Sequence, residues 1–277
     1  MVQKRSQDKR IIVVTATYSR PGQIHYLRRM GKTLKAINNL FWIISEEAKQ
    51  PNDRIVALLL GSSIQHKYLN IDPVGDMGNA PKNAGLAYIK KNNLEGIVYI
   101  ADDDNFYQKE LFEEIRKTIR VAIMPVGNIP GKGTERPVVV NSRIVSWEAN
   151  WQTRKYPVDW AAVSFNSDVL KNLDYPFIGE IMDGAEPVNF LEKSIPERKT
   201  WLAAHCGGES EFLEKIVDSK DELEVGLCDE CTRCYVWYNE PVFFREKIRK
   251  QLSNKSFLYR IYRPVSIFAK KVIGWFK

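Results

Sequence analysis

The sequence predicts an α/β fold with a largely parallel sheet and helices on both of its faces. Three observations lead there. Through the first half of the chain, short apolar runs alternate with stretches of helical periodicity, the pattern of successive βαβ units. The 277 residues, 44% hydrophobic and 27% charged, can bury a sizeable core in one large domain or two small ones. The apolar run Ile97-Val98-Tyr99-Ile100 leads through Ala101 into three acids, Asp102, Asp103 and Asp104. Ligands of open α/β sheets bind beyond the carboxyl ends of strands, which is where this triplet falls.

The elements follow in order. Ile11–Thr15 is a first buried strand that breaks at Tyr18-Ser19-Arg20-Pro21-Gly22. Ile24–Ile37 is helical, with Leu27, Met30, Leu34 and Ile37 on one face. Leu40–Ser45 is a second strand ending at Glu46-Glu47, Arg54–Leu60 a short helix and Gln65–Ile71 a third strand. A turn-rich loop, Asp72–Pro81, precedes a helix over Lys82–Asn93 and the strand Ile97–Ile100. A helix is expected from Gln108 to Lys117 and a strand over Ile119–Val126. Gly127–Glu135, rich in Gly and Pro, reads as a loop and Val138–Trp147 as a hairpin. Val158–Phe165 reads as a strand, with Asn166 and Ser167 capping a short helix to Leu173. Glu209–Asp218 is a helix opening after Gly207-Gly208, and Tyr235-Val236-Trp237 a last short strand.

The formal charge of +7 is unevenly spread. Residues 244–277 hold ten Lys or Arg against one acid, and residues 1–10 carry +3, which leaves residues 11–243 at about −5. A body of that sign argues against nucleic acid as a partner. No apolar run approaches the roughly 18–20 residues of a membrane span. The N-terminus MVQKRSQDKR leads straight into strand-like IIVVT rather than a signal peptide, so the cytosol is the expected compartment.

The C-terminal segment has its own pattern. Leu258, Ile261, Val265, Phe268, Val272 and Phe276 share one helical face, with Trp275 at its edge. Lys255, Arg263, Lys270 and Lys277 lie opposite, and Pro264 divides the run. A basic amphipathic helix with aromatics on its apolar side is the pattern of an in-plane membrane anchor. The expectation is peripheral attachment to the cytoplasmic face through residues 244–277, against the plainer alternative of a helix docked on the protein's own body.

The cysteines gather as Cys206, Cys228, Cys231 and Cys234. In a cytosolic chain such clustering suggests a metal more than disulfides, and four thiolates suit tetrahedral structural zinc. Reduced thiols packed beside the last strand are the alternative.

Three adjacent carboxylates repel one another unless a divalent cation and hydroxyl groups share them. The order of motifs around them resembles the β-1,3-glucuronyltransferase family (glycosyltransferase family 43), inverting enzymes of the GT-A, Rossmann-like fold. Six blocks carry the resemblance: VVTATYSRP (13–21), WIISEEA (42–48), VYIADDDNFYQKELFEEIR (98–116), YPVDWAAVSFN (156–166), GGESEFLEKI (207–216) and YVWYNEPV (235–242). The implied domain spans 11–243, with a nucleotide-binding half to 126 and an acceptor half from 127.

The resemblance implies a UDP-sugar donor, with Asp104 as ligand to Mn²⁺ or Mg²⁺, and Asp102 and Asp103 holding the ribose. It implies Tyr18 bordering the uracil, Glu47 bonding its ring, Asp159 contacting the donor sugar and Arg154 as its basic companion. Glu209 stands where the family places the general base, with Glu211 as the fallback. The implied acceptor is a glycan or lipid-linked glycan, and a homodimer is within the family's habit. Cys231 matches a position where the family can carry cysteine, which favours plain thiols over zinc.

Two departures bear on the donor. GDMGNAPKNAGLAY (75–88) offers only Lys82 to the diphosphate and donor carboxylate where the family carries arginines, and Tyr238 stands in place of a histidine. A lysine does not make the two-bond clamp that arginine makes with a carboxylate. The donor therefore stays open between UDP-glucuronate, UDP-xylose and another UDP-sugar. Two competing readings remain: a nucleotidyltransferase, for which TATYSRPG is a poor phosphate loop, and a membrane-associated scaffold that has lost activity.

Overall fold

A computed structural model describes residues 9–73, 78–129, 133–174, 178 and 208–238. Its elements are β1 (Ile11–Tyr18), α1 (Gln23–Leu34), β2 (Leu40–Glu47), α2 (Asp53–Leu60), β3 (Gln65–Ile71), α3 (Asn79–Lys91) and β4 (Ile97–Ile100). Then come β5 (Phe106–Tyr107), α4 (Lys109–Ile115), β6 (Val121–Ile123), β7 (Val126–Ile129), β8 (Gly133–Val140) and β9 (Arg143–Glu148). After two 3₁₀ turns flanking β10 (Val163–Asn166) come α5 (Gly208–Ile216) and β11 (Val236–Trp237).

A six-stranded sheet runs in the order β3-β2-β1-β4-β10-β6. Its first four strands are parallel, and β10 lies antiparallel to both β4 and β6. The sheet is therefore mixed but mostly parallel. β1 is buried from Ile11 to Val14, and the apolar face of α1 (Leu27, Met30, Leu34) packs into the same core. α3 lies so close to the sheet that a Cβ on Gly85 would stand 2.4 Å from Val14 Cγ1, a separation no side chain tolerates.

A second sheet runs in the order β5-β11-β7-β8-β9, and four segments of the two sheets differ from expectation. The predicted strand Ile119–Val126 is two strands in two sheets: it breaks at Met124-Pro125, where proline lacks the N–H a ladder requires. The predicted loop Gly127–Glu135 is largely strand, with Gly127 paired to Trp237 and Thr134. Gly127 marks a close approach there, since a Cβ would meet the Trp237 ring at 2.4 Å. The predicted strand over Val158–Phe165 begins only at Val163, because the Asp159 side chain accepts from Ala161 N (2.8 Å) and winds Trp160–Ala162 into a 3₁₀ turn. Tyr235 likewise precedes β11 rather than opening it.

Candidate active site

The carboxyl ends of β1, β2 and β4 border a cleft of about 1020 Å³ lined by Tyr18, Arg20, Glu47, Lys82, the triplet Asp102–Asp104 and Tyr238. Strand register brings these together. Tyr18 and Glu47 are Cα partners at the last rung of β1 and β2. Val14 pairs with Ile100, which places the triplet beside the end of β1. Tyr238 arrives from the second sheet: its N–H donates to Gly127 O (2.9 Å), and Asn128 Nδ2 donates to its carbonyl (2.8 Å). Tyr18 and Tyr238 are 54% and 37% exposed, so both offer ring surface to a ligand.

A buried polar network holds the triplet from below. Gln23 Nε2 donates to Glu46 Oε1 (2.9 Å) and to Thr17 Oγ1 (3.1 Å), and the Thr17 hydroxyl donates to Asp103 Oδ2 (2.6 Å). Arg20 clamps the same carboxylate through both terminal nitrogens, with Nη1 to Oδ2 at 2.8 Å and Nη2 to Oδ1. A two-bond arginine–carboxylate pair fixes orientation as well as charge. From behind, Arg29 Nη2 donates to the carbonyls of Asp104 (2.6 Å) and Asn105 (3.0 Å), and the Tyr107 hydroxyl to that of Asp102 (2.7 Å).

The three acids thus have three surroundings. Asp103 is buried, with both oxygens accepting from Arg20. Asp102 faces Lys82 Nζ at 3.7 Å. Asp104 opens on the cleft, and burial together with the carboxylates of Asp103 and Asp102 pushes its carboxyl up despite Arg20 at 3.5 Å. A proton or a cation relieves that excess of negative charge.

Beside the cleft stands a second wall made by α5 and the segment before β10. Gly208 allows it: a Cβ there would meet Ile178 at 2.9 Å and Asn79 Oδ1 at 3.1 Å. Phe212 packs against Trp160 and Phe165, with ring centroids 5.7 and 5.0 Å away, and Tyr156 N donates to Ser210 Oγ (3.1 Å). This packing presents Glu209, whose side chain is 17% exposed and lies 3.5 Å from Arg154 Nη1. Burial pushes the Glu209 carboxyl up, and Lys82 and Arg154 oppose the shift without cancelling it. Glu211, two residues on, is turned roughly 200° around the helix from Glu209. Burial and the neighbouring Asp102 carboxylate push Asp159 up to about 8.

The expected residues Tyr18, Glu47, Lys82, Asp102, Asp103, Asp104 and Tyr238 therefore line one cleft, with Arg154, Asp159 and Glu209 on the adjoining wall. Sequence reasoning passed over Arg20 and Thr17, although both lie in the VVTATYSRP block. The available signal was an arginine two residues beyond a strand whose neighbour ends in three acids.

The cysteines behave differently. Cys206, one of the four cysteines, and the amphipathic tail over 244–277 lie outside the described residues. Cys228, Cys231 and Cys234 are free thiols, and among the described residues no three His, Cys, Asp or Glu side chains gather as a metal-binding group. Burial pushes the Cys231 thiol up to about 12, and it donates to Ile123 O (3.2 Å). Cys228 to Cys231 form a left-handed turn, with φ between 51° and 60°, fastened where Glu114 accepts from Cys228 N (3.0 Å).

The model of Glycosyltransferase family 43 matches residues 30–240. Galactosylgalactosylxylosylprotein 3-beta-glucuronosyltransferase P of Drosophila melanogaster is 30% identical over 243 residues, 83% of this chain and 45% of its own. Probable beta-1,4-xylosyltransferase IRX9L of Oryza sativa subsp. japonica is 30% identical over 246 residues, 83% of this chain and 51% of its own. Human galactosylgalactosylxylosylprotein 3-beta-glucuronosyltransferase 2 is 28% identical over 261 residues, with 86% and 74% covered. The chain spans about half the length of the first two relatives. Among solved structures, S. aureus TarS 1-349 in complex with UDP-GlcNAc superposes with a TM-score of 0.51 at 12% identity, over 84% of this chain and 59% of that one. That likeness is one of fold.

Proposed function

Starting from the fact that this chain belongs to glycosyltransferase family 43, we propose that it is an inverting, metal-dependent transferase moving a sugar from a UDP-sugar to a glycan hydroxyl. The observation that carries the reading is Glu209. It is a largely buried carboxylate with its proton affinity raised, held at a helix start beside the acidic cleft. A general base works best when its pKa approaches the working pH, and burial moves Glu209 that way.

In the proposed step the Glu209 carboxylate takes the proton of the acceptor hydroxyl. The acceptor oxygen forms its bond to the anomeric carbon from the face opposite the diphosphate. The bond from that carbon to the diphosphate oxygen breaks, and its electron pair leaves with UDP. Lys82 and Arg154 together limit how far the Glu209 carboxyl rises, since both cations favour the ionised form. Tyr18 and Glu47, paired at the strand ends, suit a nucleobase, and Asp102 the ribose hydroxyls. Asp159, protonated below about 8, suits a hydroxyl or carboxylate of the donor sugar as a hydrogen-bond donor. Asp103, saturated by Arg20 and Thr17, acts by positioning its neighbours rather than by holding ribose.

The residues fit a divalent cation. Asp104 carries excess negative charge toward the cleft, and without a protein trio of ligands the remaining positions would fall to a diphosphate. When bound, the ion would act as a Lewis acid that stabilises the leaving diphosphate.

Glucuronate is the donor sugar we favour, from the names of the animal relatives. UDP-xylose is the second reading, supported by the rice relative's name and by Lys82 where a carboxylate clamp calls for arginine. Residues 244–277 fit peripheral membrane attachment, which liposome flotation of a chain ending at Phe243 tests; undiminished binding would refute the anchor.

The function is tested by transfer from UDP-glucuronate and UDP-xylose to an oligosaccharide panel with Mn²⁺. Wild type is expected to form product with one of them, and Glu209→Gln to bind UDP while forming none above background. Full activity in Glu209→Gln would remove the assignment.

A further inference from the structure

A second concave site lies away from the donor cleft, between α1 and α2, with a volume of about 490 Å³. Its floor is apolar, from Ile24, Gly31, Ala57 and Leu58, and its rim carries Arg28, Lys32, Lys35 and Arg54. No acid lines it. None of these four cations makes an ion pair with a described carboxylate, although the chain from 11 to 243 is net negative. Unpaired cations gathered on one side of an acidic body focus a positive potential at that side.

The spacing says what the groove fits. Arg28, Lys32 and Lys35 follow one another by four and three residues, so they form a row along one face of α1. At 1.5 Å per residue the row extends about 10 Å, too long for one phosphate and suited to a chain with repeated negative charges. A flat bilayer does not enter a concavity between two helices. A glycan chain does, laying the C–H faces of its rings on the apolar floor and its carboxylates toward the rim.

We propose that this groove is a binding site for an acidic glycan chain, distinct from the donor cleft. The choice of a glycan rests on the transferase reading above. α1 begins just past Arg20, so a chain held there lies within a helix length, about 18 Å, of the cleft. The groove would keep an acidic acceptor or product on the enzyme between transfers.

The test is direct binding by the full chain, without donor or turnover. Calorimetric titration with an oligogalacturonate of defined length should show binding that weakens as salt rises from about 50 to about 500 mM. A neutral malto-oligosaccharide of equal length should not bind. Combining Arg28→Ser, Lys32→Ser, Lys35→Ser and Arg54→Ser, all at exposed positions, should weaken oligogalacturonate binding at least tenfold and leave UDP binding unchanged. Three results would overturn the proposal: no oligogalacturonate binding by wild type, equal binding by the variant, or groove-dependent retention only on phosphatidylserine vesicles. Because no transfer is read, failure here leaves the Glu209 assignment standing, and failure there leaves this result standing.

Discussion

Two carboxylates in neighbouring walls each face an arginine and are treated in opposite ways. Asp103, at the end of the parallel sheet, is gripped by both ends of the Arg20 guanidinium and by the Thr17 hydroxyl. Glu209, at the start of α5, has Arg154 only at the edge of contact, 3.5 Å away. The first is an acid whose charge is used up in holding a loop. The second is left with a raised proton affinity by the same burial that would otherwise demand a partner. The difference separates scaffold from chemistry better than acidity or burial does.

The comparison can be broken most forcefully at Glu209. Replacing it with Gln should lower turnover by at least ~10²-fold, the lower end of what a positioned base supplies, with stability nearly unchanged. At Asp103 the expected damage is the reverse. Arg20→Ala leaves a buried carboxylate without its clamp and should cost about 3 kcal/mol in urea unfolding. Arg20→Lys should recover only part of that, since an ammonium makes no two-bond clamp. If Arg20→Ala unfolded like wild type, Asp103 would not be the scaffold described.

Asp104 lies between the two extremes and sharpens the contrast. Wild type should gain stability from Mn²⁺ added with UDP, at about 2–4 °C in Tm per kcal/mol of binding. Asp104→Asn should keep the UDP response and lose the manganese increment, and an unchanged increment would place the metal elsewhere.

A further contrast is expected at Asp159. Its carboxyl is raised from 3.8 to about 8, so it is protonated in both folded and unfolded chains below pH 3.8 and contributes fully there. Between 3.8 and about 8 the unfolded chain gives up the proton while the folded chain keeps it, so stability declines as pH rises through that window. In metal-free buffer Asp159→Asn should flatten this decline, so that Tm falls less between pH 4 and 8 than it does in wild type. Parallel curves would show that Asp159 does not titrate as described.

The first half of the chain was legible because local signals there agree with the tertiary structure. Ile97–Ile100 and Gln65–Ile71 matched residue for residue, and the predicted apolar face of α1 is the buried one. The second sheet was legible in its β8–β9 hairpin, read from Val138–Trp147, but not in β5, β7 and β11, which are short and defined by distant partners. Gly127 reads locally as a turn former and serves as the one residue that fits under Trp237. In the first sheet, Asp159 reads as a strand residue until its own side chain caps a 3₁₀ turn ahead of β10. In the site, residue types, their positions and the separation of Asp104 from Asp102 and Asp103 were expected from motif order, whereas the clamp that sets Asp103 apart from Asp102 was not visible. That clamp depends on Arg20 and Thr17, 83 and 86 residues away from Asp103.

We assign Glu209 as the base, with its pKa raised by burial. The pH dependence of kcat/KM for transfer, measured with Mn²⁺ and the UDP-sugar that proves to be the donor, tests it most directly. An acid limb is expected with its midpoint above 4.5, the ordinary glutamate value, and that midpoint should rise further when Arg154→Met removes one of the two cations, with Lys82, that favour the ionised form. A midpoint at or below 4.5, or one indifferent to Arg154, would contradict the assignment.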